Sequence, residues 1–438
     1  MYPKRLAILV GGGPAPGINS VISAATIRAI LAGAEVIGIR DGFKWLMQGN
    51  IDNIVNLNID TVSRIHFRGG SYLGIARDNP TKNKKFLENT VTSLLRLNVD
   101  KLITIGGDDT AFSAHKVEEV ADGRIQVAHV PKTIDNDLDL PHGTVTFGYQ
   151  TARHIGVEIV KNIMTDARTT TRWYFVVTMG RKAGHLALGT GKSAGATLTL
   201  IPEEFPDKIS LNQMIDTLVG AIIKRKSYGR EDGVAIIAEG LIDKLDPHAF
   251  DELVNIEKDE HDNLRFAEIN FGEILKYHVQ KRLEEFGLKT TIVAKNIGYE
   301  LRCADPIPFD MEYCRDLGYM AAKFLYDGGN GALISMQQGK FIPMYFKEIL
   351  DPKTKKMKIR LVDTDSESYH IAYRYMLRLN QDDFNDPHEL AKYAATAGVS
   401  LEEFEEKFKY LVENADTFDL QNPVKKKAEK SDKVEKKG

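Results

Sequence analysis

The stretch from Leu102 to Asp137 constrains the chain more than any other: LITIGGDDTAFSAHKVEEVADGRIQVAHVPKTIDND. A short apolar run ends at Gly106-Gly107, and Asp108, Asp109 and Thr110 then open a helical pattern. A second apolar run, Ile125 to Val130, stops at Pro131-Lys132-Thr133. Continuous apolar runs of this length fit strands buried on both faces, which belong to parallel sheets covered by helices. In an open sheet of that kind, ligands bind beyond the carboxyl ends of the strands. Asp108, Asp109, Lys132, Asp135 and Asp137 all fall at such ends. The glycine pair beside them lets backbone come close to a phosphate.

The same arrangement recurs along the chain. Leu6 to Val10 reads as a buried first strand, followed by Gly11-Gly12-Gly13-Pro14-Ala15-Pro16-Gly17. A helix is predicted from near Val21 to just before Gly33, with Asn19 or Ser20 as its cap. Strand, glycine turn and helix N-terminus favour an anion, yet the glycines match neither a Walker loop nor a full GxGxxG. A merely tight strand-to-helix turn reads equally well. Glu35 to Arg40 is a second strand. The loop around His66-Phe67-Arg68-Gly69-Gly70-Ser71 and Ala76-Arg77-Asp78 sets arginines beside glycines. That suits phosphate oxygens, or simply two solvated surface arginines.

Further on, a long helix is predicted from Gly148 to about Asp166. A strand from Arg172 to Thr178 ends in Met179-Gly180-Arg181, and one from Thr197 to Ile201 ends in Pro202-Glu203-Glu204. A helix near Leu211 to Lys226 precedes the strand Val234 to Ala238, which ends in Glu239-Gly240. Glu239 reads as a sugar-hydroxyl ligand or as a helix cap. A long helix to about Phe286, a strand from Thr290 to Ala294 and a helix from Asp310 to Tyr326 follow. Two runs split by Gln338-Gly339 read as a hairpin. Ser400 and Glu403 have capping-box spacing at the start of a last helix. From Lys425 the chain is lysine-rich without apolar residues, the composition of a disordered, solvating tail.

Alternating strands and helices predict an α/β protein with mainly parallel sheets. At 438 residues there is length for more than one domain. A formal net charge of −3 gives no electrostatic reason to expect nucleic acid or a membrane surface as partner. Cys303 and Cys314 are the only cysteines, too few for a disulfide framework or a four-cysteine zinc site. No apolar run approaches a bilayer span, and the N-terminus lacks a signal-peptide pattern, so a cytoplasmic protein is expected. Asp108 and Asp109 could serve as helix caps. Asp135 and Asp137 follow a different strand, and carboxylates converging on one sheet edge suggest a hard cation such as Mg²⁺ shared with substrate phosphates.

Taken in order, GGGPAPGIN (11–19), GGSYLGIAR (69–77), GGDDT (106–110), PKTIDND (131–137), MGRKAGH (179–185), AEG (238–240) and GYELR (298–302) resemble the phosphofructokinase family over roughly residues 4 to 330. The resemblance implies two similar Rossmann-like domains with the active site between them. It implies transfer of a phosphoryl group to the 1-hydroxyl of fructose 6-phosphate, with Mg²⁺. On that basis residues 1–147, completed by part of 300–365, would bind the donor. Residues 148–299 would bind the sugar phosphate, 366–422 would form a helical extension and 423–438 the disordered tail. Asp135 matches the family's general base, flanked at the sugar by Thr133. Asp135, Lys132, Asp109 and Arg181 form the expected catalytic group. Asp108 matches the magnesium position, with Asp137 close by. Gly13, Arg77 and Lys132 match donor contacts. Met179, Gly180, Arg181, Glu239, Tyr299 and Arg302 match sugar-phosphate contacts, with Arg302 on the 6-phosphate. Arg172 matches an arginine that reaches the neighbouring subunit's site, which implies a homodimer or homotetramer.

Asp109 and Lys132 replace two glycines usual in ATP-using members, and both match the pyrophosphate-using branch. A carboxylate at 109 would lie where the α-phosphate of ATP passes, and two anions in a partly dry cleft repel strongly. Lys132 would supply positive charge as the pyrophosphate leaving group develops its own. Pyrophosphate and fructose 6-phosphate are therefore the expected substrates, in a reversible reaction. An ATP-dependent phosphofructokinase and a non-catalytic sugar-phosphate-binding regulator are the alternatives. Ser23 and Ile27 stand where effector-binding arginines occur in allosteric members, and Val293 replaces an expected arginine.

Overall fold

A computed structural model describes residues 5–205, 208–246, 270–349, 351 and 357–413; the lysine-rich tail lies outside them. Eleven strands are described, β1 to β11 in chain order: Arg5–Val10, Glu35–Ile39, Ile54–Leu57, Lys101–Gly106, Gln126–Pro131, Trp173–Thr178, Leu198–Leu200, Gly233–Ala238, Ile292–Ile297, Ala332–Gln337 and Lys340–Tyr345. They form two sheets. The first runs β11-β10-β5-β4-β1-β2-β3, and the second β7-β8-β6-β9. Every pairing in the second sheet is parallel. The first sheet is parallel in its centre and closes with antiparallel strands at both edges, β3 on β2 and β11 on β10.

The apolar runs become central strands for the expected reason. Leu6 to Val10 and Leu102, Ile103 and Ile105 are buried on both faces, so alternation is absent. One core lies on the side of the first sheet that continues into the second unit, and another packs its opposite face. A third core joins the second sheet to the helices after residue 380. The predicted hairpin is β10 and β11, and β10 completes the first sheet against β5. Among the described residues, no helix is long and apolar enough to cross a membrane.

The structure differs from the sequence reading at several places. Neither Asn19 nor Ser20 caps the first helix, which spans Ile18–Leu31 behind Gly17. Gly17 is left-handed at φ 105°, and a Cβ there would meet Cys314 Sγ at 2.3 Å, so the close approach of a second helix, Pro308–Tyr326, requires glycine. Asn19 and Ser20 are instead buried and hold the glycine-rich loop. Asn19 Nδ2 donates to Arg68 O at 3.0 Å, Tyr72 N donates to Asn19 Oδ1 at 2.7 Å, and Ser20 donates to His66 O. After β8 comes a 3₁₀ turn, Glu239–Lys244, and the helix ending near Phe286 is described from Phe271 to Glu285. The strand predicted from Thr290 lies slightly later, and β3 carried too weak a pattern to be read. The expected capping box is only half made: Glu403 N donates to Ser400 Oγ, but the Glu403 carboxylate faces Lys407.

Two polar pins hold the layers in place. Asp310, fully buried, accepts from Gly148 N, Thr151 N and Thr151 Oγ1 at 2.8, 2.8 and 2.6 Å. Its carboxylate supplies the N-terminus of the helix Tyr149–Thr170 with acceptors that Gly148 cannot offer. Lys224, in the helix Leu211–Ser227, donates to both Asp383 oxygens at 2.8 and 2.6 Å and to Arg378 O at 3.0 Å. Around this pair Leu379, Phe384, Tyr393, Phe404 and Phe408 are buried, so the C-terminal helices belong to the second unit's core. Breaking a buried pair by removing one partner costs about 3–5 kcal/mol, because the other charge stays desolvated. Lys224→Met is therefore expected to lower the urea midpoint by an amount equivalent to that loss; an unchanged midpoint would show that Asp383 reaches water.

Candidate active site

The cleft has a volume of about 430 Å³ and gathers the carboxyl ends of β1, β4, β5 and β6. Gly12, Gly13, Arg77, Asp108, Asp109, Lys132, Thr133, Asp135, Asp137, Met179 and Arg302 all line it. Local pairing explains the convergence. Gly11 bridges Ala76, and Gly12 N donates to Ala76 O at 3.0 Å, which sets the exposed Arg77 beside the first glycine turn. Lys132 N donates to Gly106 O at 2.9 Å, which fixes Lys132 beside the second. At Gly12, φ is +84°, and a Cβ would lie 3.2 Å from Lys132 Nζ. At Gly13 a Cβ would lie 3.3 Å from Arg302 Nη1. Two cations thus face a bare backbone turn, an arrangement that suits a phosphate.

Neither Asp108 nor Asp109 is the cap of its helix. Gly107 occupies that position, and both carboxylates lie in the first turn of Asp108–Ala121. Asp108 is drawn inward: its Oδ1 accepts from Met357 N at 2.8 Å, and Lys182 Nζ lies 3.9 Å from Oδ2. Asp109 is exposed on the cleft wall.

Lys132 is 6% exposed, and burial pulls its ammonium down to about 8. The negative charge of Asp135 opposes that change, and Arg302 and Arg77 add to it. Burial pushes Asp135 up to about 7, helped by repulsion from Asp137 and Glu239 and opposed by Lys132 and Lys182. Asp135 as a residue is half-buried, yet its Oδ1 is shut off from solvent and has no hydrogen-bond partner within the chain. A buried, unpartnered carboxylate oxygen that titrates near neutrality is the profile of a general base awaiting a hydroxyl. The Thr133 hydroxyl accepts from Asp135 N at 3.0 Å, which shapes the turn before the carboxylate.

The expected sugar-phosphate residues divide between places. Gly180 and Glu239 meet where β6 and β8 end: Gly240 N donates to Gly180 O at 3.2 Å. Burial raises the Glu239 carboxyl, which the Gly180 backbone and Arg181 partly offset. Arg181 is on the rim with 66% of its side chain exposed, its Nε 3.9 Å from Asp243 Oδ2. Arg302 lies with Gly13 and Lys132 on the glycine-turn side, its guanidinium 4.6 Å from the ring centroid of Tyr299. The short helix Tyr299–Arg302 turns it there, while Tyr299 itself is 69% exposed. Arg172 immediately precedes β6, at the opposite end from Met179, and does not line this chain's cleft.

Sequence reasoning missed Lys182, Asp310 and Arg360. Lys182 sat inside a quoted motif without a role. Asp310 read only as a helix start. Arg360 carried no motif, and the partners of its guanidinium are more than two hundred positions away.

The comparisons bear on this geometry. The phosphofructokinase family profile matches residues 5–325. A pyrophosphate–fructose 6-phosphate 1-phosphotransferase of Thermotoga maritima is 53% identical over 418 residues, covering 94% of this chain and 99% of that protein. The protein of the same name from Naegleria fowleri is 48% identical over 418 residues, covering 93% and 96%. A crystal structure of a pyrophosphate-dependent phosphofructokinase from Nitrosospira multiformis has a similar fold, with TM-score 0.64 at 17% identity over 91% of this chain and 92% of that one. With its motifs at the strand ends of two mainly parallel sheets and the profile matching residues 5–325, the chain belongs to the phosphofructokinase family.

Proposed function

We propose that the protein transfers a phosphoryl group from pyrophosphate to the 1-hydroxyl of fructose 6-phosphate, giving fructose 1,6-bisphosphate and phosphate. The observation that carries this reading is the buried, unpartnered Asp135 Oδ1 in one cleft with Lys132 over a glycine turn. Asp135 takes the proton from the sugar hydroxyl as its oxygen bonds to phosphorus. The bridging P–O bond of pyrophosphate breaks on the other side, and Lys132 and Arg302 face the charge left on the departing phosphate. The first sheet's unit would hold the donor. The strand ends around Gly180, Arg181 and Glu239 would hold the sugar phosphate.

Asp108 and Asp137 offer hard oxygen donors on the cleft wall. Among the described residues, no group of three or more His, Cys, Asp or Glu is arranged to hold a metal alone. That donor set fits Mg²⁺, which is bound through one or two carboxylates plus substrate phosphates. Bound there, the ion would neutralise charge on the transferring phosphoryl group.

The donor follows from Asp109 and Lys132. Asp109 presents a carboxylate on the open cleft wall, where it repels a longer polyphosphate. Lys132 faces the glycine turn, within reach of a short one. The activity named for both sequence relatives agrees with that donor.

Donor preference, substitution at Asp109, Lys132 and Asp135, and the pH profile test the reading. At matched donor concentrations the protein is expected to turn over fructose 6-phosphate with pyrophosphate and far less with ATP. Asp109→Gly combined with Lys132→Gly is expected to shift that ratio toward ATP, and a preference for ATP in the unaltered protein would sink the donor assignment. Asp135→Asn is expected to lower kcat by about 10²–10⁴-fold while fructose 6-phosphate still binds by calorimetry. The pH profile has a definite sign. Asp135 works as a carboxylate, so kcat/KM for fructose 6-phosphate should rise through about 7; Lys132 works as a cation, so it should fall above about 8. These values belong to the coupled pair. Loss of the alkaline limb in Lys132→Met would assign it; its persistence would place that titration elsewhere.

A further inference from the structure

We infer that Arg360 is the positioning residue for the loop that carries the base: it locks the turn between Asp135 and Asp137 in its working shape. This rests on Asp135 as the base. The observation behind it is a strap, residues 357–362, laid across the catalytic loops from a part of the chain beyond the family match. Met357 N donates to Asp108 Oδ1 at 2.8 Å, and Asp139 N donates to Lys358 O at 3.2 Å. Ile359 bridges Leu138, and Arg360 N donates to Asp137 O at 2.8 Å. Val362 N then donates to Glu203 Oε1 at 3.0 Å, anchoring the strap on the second unit.

The guanidinium does the finer work. Its Nε and Nη2 donate to Asn136 O at 3.2 and 3.1 Å, Nη2 also reaches Asn136 Oδ1, and Nη1 donates to Thr144 O at 2.7 Å. Asn136 is the residue between the two functional carboxylates, and its φ is +56°. Asparagine enters that region more readily than most residues, and here its backbone carbonyl and its side chain are both held in it. Thr146 supplies the other restraints, donating from N to Asn136 Oδ1 at 3.1 Å and from Oγ1 to Thr133 O at 2.8 Å. Arg360 thus ties residues 136 and 144 into one ring without touching the cleft itself, since it is absent from the lining. A planar fork suits several carbonyl acceptors at once, where an ammonium would serve them as a single point. The charged and titratable groups facing it are Asp139, Tyr149, Asp137 and Tyr313, and its own carbonyl lies 3.1 Å from His185 Nε2.

The experiment is Arg360→Ala, assayed with whichever donor the unaltered protein uses, so that the donor assignment and this inference fail separately. Because small misplacements of reacting groups can cost about 10²-fold, kcat is expected to fall about 10–100-fold, with KM for fructose 6-phosphate changing by less than about threefold. Low millimolar guanidinium is expected to restore part of kcat in Arg360→Ala. Folding is checked by near-UV circular dichroism. Arg360→Lys, which keeps the charge, is expected to stay folded and remain impaired. A folded Arg360→Ala or Arg360→Lys enzyme with unchanged kcat would overturn the inference. So would a loss of kcat that only tracks loss of folded protein and does not respond to guanidinium. If neither variant folds, Arg360 is an element of the fold and the inference fails.

Discussion

Keeping Asp135 and Lys132 away from water is the constraint on which the rest of the site depends. Burial moves both groups toward their neutral forms, and their mutual attraction only partly resists it. The sign of the consequence is clear. A carboxyl whose folded pKa lies near 7 binds its proton more tightly folded than unfolded, so stability falls as pH rises from the ordinary carboxylate range to about 7. Above that, the native state carries the full penalty of an ionised, unpartnered oxygen. The site is a place where the fold gives up stability, and the surrounding loops must hold it against relaxation.

Those loops are held from three directions. The strand ends supply backbone pairing to Gly106 and Ala76. Asp310 fastens the helix that leaves the catalytic loop for the second unit, so the cleft's two walls share one buried carboxylate. The close approach at Gly17 and Cys314 sets the first glycine turn against the same helix that carries Asp310. Displacing any one of these contacts would tilt a wall of the cleft, which is why polar residues far from the chemistry are so fully buried here.

Much of this was legible in the sequence, and the reason is local. A strand that must be buried on both faces writes an uninterrupted apolar run, and its end is marked by glycine and charge; Gly106 through Asp109 and Pro131 through Asp137 show this. What was hidden is what depends on distant pairing. Asn19 looked like a cap because asparagine before an apolar helix usually is one, but the left-handed Gly17 starts the helix earlier and frees Asn19 to hold residues 68 to 72. The approach of Arg302 to Gly13 was likewise hidden, because it depends on the turn at Tyr299. Arg360 sits in a short alternation, Met357-Lys358-Ile359-Arg360-Leu361, that reads as a strand and does not tell what the arginine meets.

The strap also sets an order of events in the life of the molecule. Its partners on the catalytic loop lie 216 to 249 residues earlier in the chain. A ribosome adding about 5–20 residues per second needs on the order of 10–50 s to cover that interval. During that time the first sheet lacks β10 and the loop bearing Asp135 lacks its tether. The nascent chain can bury its early strands, but the loop bearing Asp135 stays untethered until residues 357–362 have been made. A chain truncated before residue 357 would keep every family motif and lack the strap that holds the loop bearing Asp135.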